Sequence, residues 1–150
     1  MAKFSTGLRT GMLNGEGLKE QLDGGRIRIF SVASSSEIPT TADGAESGTP
    51  LMELTAGGDG VTGLTFEPPA GGAVSKAAGE VWMTSSIDDT GTCAYFRFVG
   101  SADAGGDSIT EPRIQGTCGI AGTDMVLTNL NVVAGVPWTL NFFNITLPTA

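Results

Sequence analysis

The sharpest chemical motif in this sequence is the Asp-Thr-Gly triplet at residues 89–91. An aspartate in such a triplet acts as a catalytic carboxylate in aspartic proteases, where two like carboxylates share a proton. Those sites place apolar residues directly before the aspartate, whereas Asp88 stands there. The triplet also falls where the alternating pattern predicts a hairpin turn into the next strand. We therefore interpret Asp89 as a turn residue, with no catalytic role.

The other residues that could act in catalysis or ligand binding are likewise interpreted as structural. The glycines at 57–60 and 71–72 lack the Gly-Lys-Ser/Thr ending and the following helix of a phosphate-binding loop. Ser75 and Lys76 are neighbours in a predicted strand and so point to opposite faces. Asp103 and Asp107, with the acids at 88–89, lack the spacing of a calcium-binding loop. The chain also contains no histidine, the usual proton shuttle near neutral pH. The sequence predicts a non-enzymatic protein without cofactor or metal.

Length, charge and cysteine content narrow the class of protein. A chain of 150 residues typically forms one domain. Its net charge of −8 argues against binding to nucleic-acid phosphates. No apolar run approaches the ~20 residues of a membrane span, and no secretory signal is recognisable. We therefore expect synthesis in the cytoplasm, no membrane partner, and reduced thiols at Cys93 and Cys118.

A period-two apolar pattern recurs along the chain and is interrupted by glycine-rich turns. About eight to nine strands at this spacing predict a mostly β fold, an antiparallel sandwich or jelly-roll-like barrel. The long connection at 34–49 is expected to be functional or mobile. The aromatic residues at positions 82, 95, 96, 98, 138, 142 and 143 are expected to fill the core. The strand candidates are Arg26–Phe30, Leu51–Thr55, Val61–Phe66, Ala73–Lys76, Glu80–Ile87, Thr92–Val99, Arg113–Cys118, Asp124–Val133 and Trp138–Leu147.

The first 25 residues differ from the rest and predict an extended N-terminal arm before a single β domain at 26–150. Glycines at 7, 11, 15 and 17 disfavour a long helix, so one short helix is expected at Glu16–Leu22. Residues 1–28 hold five of the eight basic side chains, whereas residues 29–75 hold six acids and no base. This asymmetry suits self-association or docking on an acidic surface, although chance explains so small a count equally well.

Several stretches resemble small virion proteins of tailed bacteriophages. The likeness begins with Phe4–Leu13, continues through Leu18–Lys19 and Leu22–Gly25, and includes the strand Arg26–Phe30. Later stretches are similar in style, namely Gly63–Phe66, Gly79–Trp82, Phe96–Phe98, Arg113–Thr117 and Phe143–Pro148. The resemblance covers most of the chain and contains no chemical signature.

The resemblance implies a structural role on the capsid surface of the virion. Some proteins of this kind resemble capsid decoration (cement) proteins, which are small, β-rich and often trimeric. On this interpretation the partners are further copies of the chain, as a homotrimer, and the major capsid protein. The alternatives are a tail-tube, head–tail joining or fibre-base component, and a glycan-binding module. The partner-binding residues expected in or next to the arm are Leu8, Arg9, Met12, Leu13, Leu18, Lys19, Leu22, Arg26 and Arg28.

Overall fold

The architecture was obtained as a computed structural model, which describes residues 1–148. The last two residues of the expected 26–150 domain, Thr149 and Ala150, lie outside the described residues. The elements follow in the order β1 (Lys3–Phe4), α1 (Thr6–Leu13), α2 (Leu18–Leu22), β2 (Arg26–Ser31), a 3₁₀ helix (Ser35–Glu37), β3 (Thr49–Ala56), β4 (Ala73–Ser75), β5 (Trp82–Thr84), β6 (Gly91–Thr92), β7 (Tyr95–Val99), β8 (Ile114–Gly119), β9 (Met125–Val126), β10 (Asn131–Val132), β11 (Trp138–Leu140) and β12 (Asn144–Thr146).

One eight-stranded sheet dominates the fold. Its order is β1-β8-β7-β2-β3-β5-β11, and β9 pairs in parallel with the end of β8. All other pairs are antiparallel, and β10–β6 and β12–β4 form two small sheets. The predicted mostly β fold with a short N-terminal helix is confirmed, and the arrangement is consistent with a β-sandwich. Within residues 1–148, no helix has the length and apolarity needed to cross a membrane.

The hydrophobic core lies on one face of the large sheet. Ile27 pairs with Leu54 on one side and with Phe98 on the other, and Phe98 in turn pairs with Ile114. All four side chains are buried, as the period-two pattern predicts. Phe143, which directly precedes β12, covers this row and packs against Trp82 with ring centroids 5.6 Å apart. The expectation of a core rich in aromatic side chains is therefore confirmed in its main part.

The N-terminal segment packs on the same core through two helices. Ser5 caps α1, because its hydroxyl accepts a hydrogen bond from the Leu8 N–H at 3.1 Å. The same hydroxyl donates to the Glu111 carbonyl and accepts from the Arg113 N–H, which joins the helix start to the sheet. Residues 1–25 are thus folded against the body by strand pairing, capping and burial.

Helix α1 was not expected from the sequence, because glycine lowers helix propensity. The structure gives the reason for two of these glycines. A Cβ on Gly7 would overlap the Thr110 carbonyl oxygen, and one on Gly11 would overlap the Gln21 side chain. The glycines therefore allow close packing of α1. The shorter helix expected at Glu16–Leu22 is confirmed as α2.

Two predictions on the middle of the chain are wrong. Residues 61–66 form only isolated bridges, since most of their N–H groups bond to side chains and only Leu64 bonds to the backbone of another segment, at the Gly25 carbonyl. Thr65 donates to Glu80 and Phe66 donates to Asp23. The Asp89 turn closes no hairpin, because β5 pairs with β3 and β11, whereas β7 pairs with β2 and β8.

The last two predicted strands are each divided. The segment 124–133 becomes β9 and β10, and the segment 138–147 becomes β11 and β12, which pair with different strands. The chain changes sheets at 141–143, so successive residues no longer alternate between two faces. Phe142 points outward with 74% of its surface exposed, and its expected place in the core is corrected.

Candidate functional site

The outer face of the large sheet carries a row of polar side chains in register. Glu53, Arg28, Arg97 and Gln115 are successive pairing partners across β3, β2, β7 and β8. Arg97 is fully buried and donates to the Gln115 side chain and to the Gly44 carbonyl. The long connection at 32–48 covers this row and is held to the sheet by hydrogen bonds such as the one from Arg97 to Gly44.

A buried ion pair fixes a second loop against the same face. The Arg113 Nε lies 2.5 Å from Asp103 Oδ2, and both side chains are 1% exposed. Burial alone would raise the pKa of Asp103, but hydrogen bonds from Arg113 and the Gly105 N–H outweigh it and hold that pKa below its ordinary value. Arg113 also donates to the carbonyls of Ala42 and Gly106. This pair was not predicted from the sequence, and its role is to hold the loop that contains Asp103 against the sheet.

The residues considered for catalysis and metal binding lie apart and have local partners. Asp89 is exposed, and its carboxylate accepts a hydrogen bond from the Thr90 N–H. Asp107 accepts from the Ala45 N–H. In the range 1–148, no three His, Cys, Asp or Glu side chains are grouped closely enough to hold a metal ion.

Both cysteines are buried, and they do not form a disulfide with each other. Burial raises the pKa of the Cys93 thiol to about 11 and also raises the pKa of Cys118. Both groups therefore remain protonated thiols at neutral pH, a state in which they are poor nucleophiles.

Three of the four arm leucines that were expected to contact a partner lie in the core of their own chain. They are Leu8, Leu18 and Leu22, which have at most 7% of their surface exposed. Full burial of a leucine contributes roughly 1.5–3 kcal/mol to folding. These side chains are therefore not free to enter a groove on a partner.

Three of the four basic residues expected to meet a partner's carboxylates form ion pairs within the chain. Arg26 and Arg28 both pair with Glu53, at 2.7 and 2.9 Å. Lys19 pairs with Asp23 and also donates to the Phe66 carbonyl. Arg26 and Arg28 therefore pair with the acidic segment of their own chain, whereas Lys19 pairs within the basic segment.

Three of the predicted partner-binding residues remain at the surface. Arg9, Met12 and Leu13 follow the i, i+3, i+4 spacing that places side chains on one side of a helix. Leu13 is 89% exposed, Arg9 is exposed and Met12 is half-buried. We call these residues the outer face of α1.

Two apolar grooves adjoin this outer face and flank β12. The larger groove, of about 860 Å³, is lined by Arg9, Lys3, Phe4 and residues 143–148 of the C-terminal segment. The smaller groove, of about 300 Å³, is lined by Met12 and by Val74 of β4. Ile145 and Leu147 line both grooves. The N-terminal surface therefore offers apolar hollows beside two basic side chains.

A third groove lies in the segment where the predicted strands are divided. It has a volume of about 650 Å³ and contains one charged lining residue, Asp124. Four exposed apolar residues line it, and we call these the C-terminal face: Val126, Val133, Val136 and Phe142. This surface was not predicted from the sequence. The signal that could have revealed it is the absence of any charged residue from 125 to 150.

Comparisons with protein-family models, curated proteins and solved structures found no match to this chain.

Proposed function

We propose that this chain is a non-enzymatic structural protein of a tailed-bacteriophage particle, a capsid decoration protein that oligomerises and bridges major capsid subunits. A protein that binds only the assembled shell stabilises it by mass action. Such a role needs a rigid body with surfaces that fit a neighbour, and it needs no reacting group. A homotrimer on the capsid surface is the form that the resemblance implies.

The single observation that carries the proposal is the exposed Leu13 within the segment Phe4–Leu13, where the resemblance begins. Other residues of that segment have internal roles, since Ser5 caps a helix, Gly7 permits close packing and Leu8 fills the core. Leu13 has no such role and is 89% exposed. Leu13 lies next to Met12, which lines an apolar groove, and the combined apolar surface is suited to contact with another molecule.

The chemistry of the surface suggests how the capsid partner is recognised. Leu13 and Met12 supply apolar contact area, and Arg9 stands on the same side of α1 to meet a carboxylate or a carbonyl oxygen. Within residues 1–148, the Arg9 side chain donates to the Ser5 carbonyl and the Thr6 hydroxyl, both at the start of its own helix. The capsid surface that fits is apolar with an acidic rim.

A binding assay with a matched pair of variants tests the proposal. Purified chain is mixed with shells assembled from the major capsid protein of the same phage, and the bound fraction is measured by co-sedimentation. We expect wild type to bind and Leu13→Asp to bind at least about 30-fold more weakly, the factor for loss of one interface hot spot. Val61→Asp is the control, because Val61 is 75% exposed and lies in a turn remote in sequence from α1.

The results test the decoration role and the assigned contact surface separately. If the wild-type chain fails to bind any shell, the decoration role is overturned. If wild type and Leu13→Asp bind equally well, the outer face of α1 is not the contact. Circular dichroism of both variants is measured alongside, to check that each is folded.

A further inference from the structure

The geometry points to the C-terminal face as the contact between copies of this chain. The inference deepens the proposed function, since it names the surface for self-association, but its test needs no capsid. Exposed apolar side chains are concentrated in the C-terminal part of the chain. Of the eleven large apolar side chains that are exposed in residues 1–148, six lie between positions 120 and 147.

Charge singles out the same segment. The chain has a net charge of −8, yet no Asp, Glu, Lys or Arg occurs from 125 to 150. Two copies of an acidic molecule repel one another unless they meet where charge is absent. The groove at this face has eighteen lining residues, among which Asp124 alone is charged. A second copy can therefore approach here with little electrostatic cost.

The shape of the face favours a second copy over a different protein. Phe142 projects with 74% of its surface exposed, and it stands beside the 650 Å³ hollow lined by Val133 and Val136. The projection of one copy can enter the hollow of the next, a head-to-tail contact that closes into a ring when the rotation between copies allows it, as in a trimer. The partner is also present whenever the chain itself is present, so the apolar surface need not remain in water.

The edge of the large sheet adds a backbone element to this contact. β11 is the last strand in the order, and among residues 1–148 it pairs with β5 alone. Its three residues line the groove and carry no charge that would keep another strand away. Trp138 in this strand is half-buried, so part of its ring is available to a neighbouring copy. An uncharged open edge beside exposed valines is typical of a subunit interface.

Sedimentation velocity of the purified chain, without any capsid, tests this inference. We expect wild type to sediment as an oligomer at micromolar concentration, and Val133→Asp and Phe142→Asp to associate at least about 30-fold more weakly. Each variant places a charge on the uncharged face at a side chain that the fold leaves exposed, so folding is retained. The matched control is Val61→Asp, which makes the same chemical change outside the face and is expected to sediment like wild type.

Several results would overturn the inference. One is a wild-type chain that remains monomeric up to about 1 mM, the scale on which even weak contacts are detected. Another is unchanged association of both face variants. If the wild type is monomeric and Phe142→Asp instead loses binding to capsid shells, the face contacts the capsid protein; self-association at this face is then excluded while the decoration role stands.

Discussion

At the scale of single residues, this molecule uses its charged side chains mainly to hold its own loops. Arg28, Arg97 and Arg113 reach across the outer face of the sheet to the connections at 32–48 and 100–112. Burial lowers the pKa of Arg97, yet the guanidinium group remains charged because its ordinary pKa is so high. The sequence showed an alternating strand at 92–99 with Arg97 on one face, but not the two loops that this arginine binds.

The buried pair of Arg113 and Asp103 predicts a defined response to acid. Because the pKa of Asp103 is lower in the folded chain than in the unfolded one, its ionised form stabilises the fold at pH values above about 4. That contribution is lost as pH falls through the lower, folded-state pKa. In Asp103→Asn the linked loss is absent, and stability at pH 7 falls by about 3–5 kcal/mol because Arg113 stays buried without a counter-charge.

Urea unfolding followed by tryptophan fluorescence between pH 7 and pH 2 measures this effect. The curve of Asp103→Asn should lie below that of wild type at pH 7 and should converge with it under acid conditions. Asp89→Asn serves as the control, because Asp89 is an exposed turn residue. Parallel curves for wild type and Asp103→Asn would contradict the assigned role of the pair.

At the scale of elements, close packing at glycine decides a structure that propensity alone disfavours. The sequence predicts α2, β2, β3 and β8 to within two residues at each end, because local alternation and helix spacing are strong there. It does not predict α1, since Gly7 and Gly11 appear unfavourable until the neighbouring loop and the Gln21 side chain are known. Nor does it predict where the strands after residue 120 change partners, because that choice depends on contacts distant in sequence.

The packing of α1 predicts that one glycine-to-alanine substitution lowers stability where such a change usually raises it. Replacing an interior helical glycine by alanine ordinarily stabilises a protein by up to about 1 kcal/mol. Gly7→Ala should instead destabilise this protein by about 1–3 kcal/mol, because the added Cβ meets the backbone oxygens of Thr110 and Glu111. Thermal and urea unfolding give the magnitude, with the exposed Thr10→Ala as the control. A Gly7→Ala variant more stable than wild type would refute the close approach.

At the scale of the whole molecule, the surfaces separate into an acidic body and two uncharged or weakly basic apolar regions. The sequence resemblance pointed to the N-terminal region, where Arg9 and Leu13 of the nine predicted contact residues are exposed and Met12 beside them is half-buried. The sequence did not identify the C-terminal face, because alternation there is typical of a buried strand. We propose that the outer face of α1 meets the capsid and that the C-terminal face joins copies to one another.

Cryo-electron microscopy of purified phage particles tests this account most directly. The account predicts density for the chain at repeated positions over the shell, with Leu13 directed toward the major capsid protein and Phe142 between adjacent copies. Density confined to a ring at one vertex or to the tail, or particles that lack the chain altogether, would contradict it.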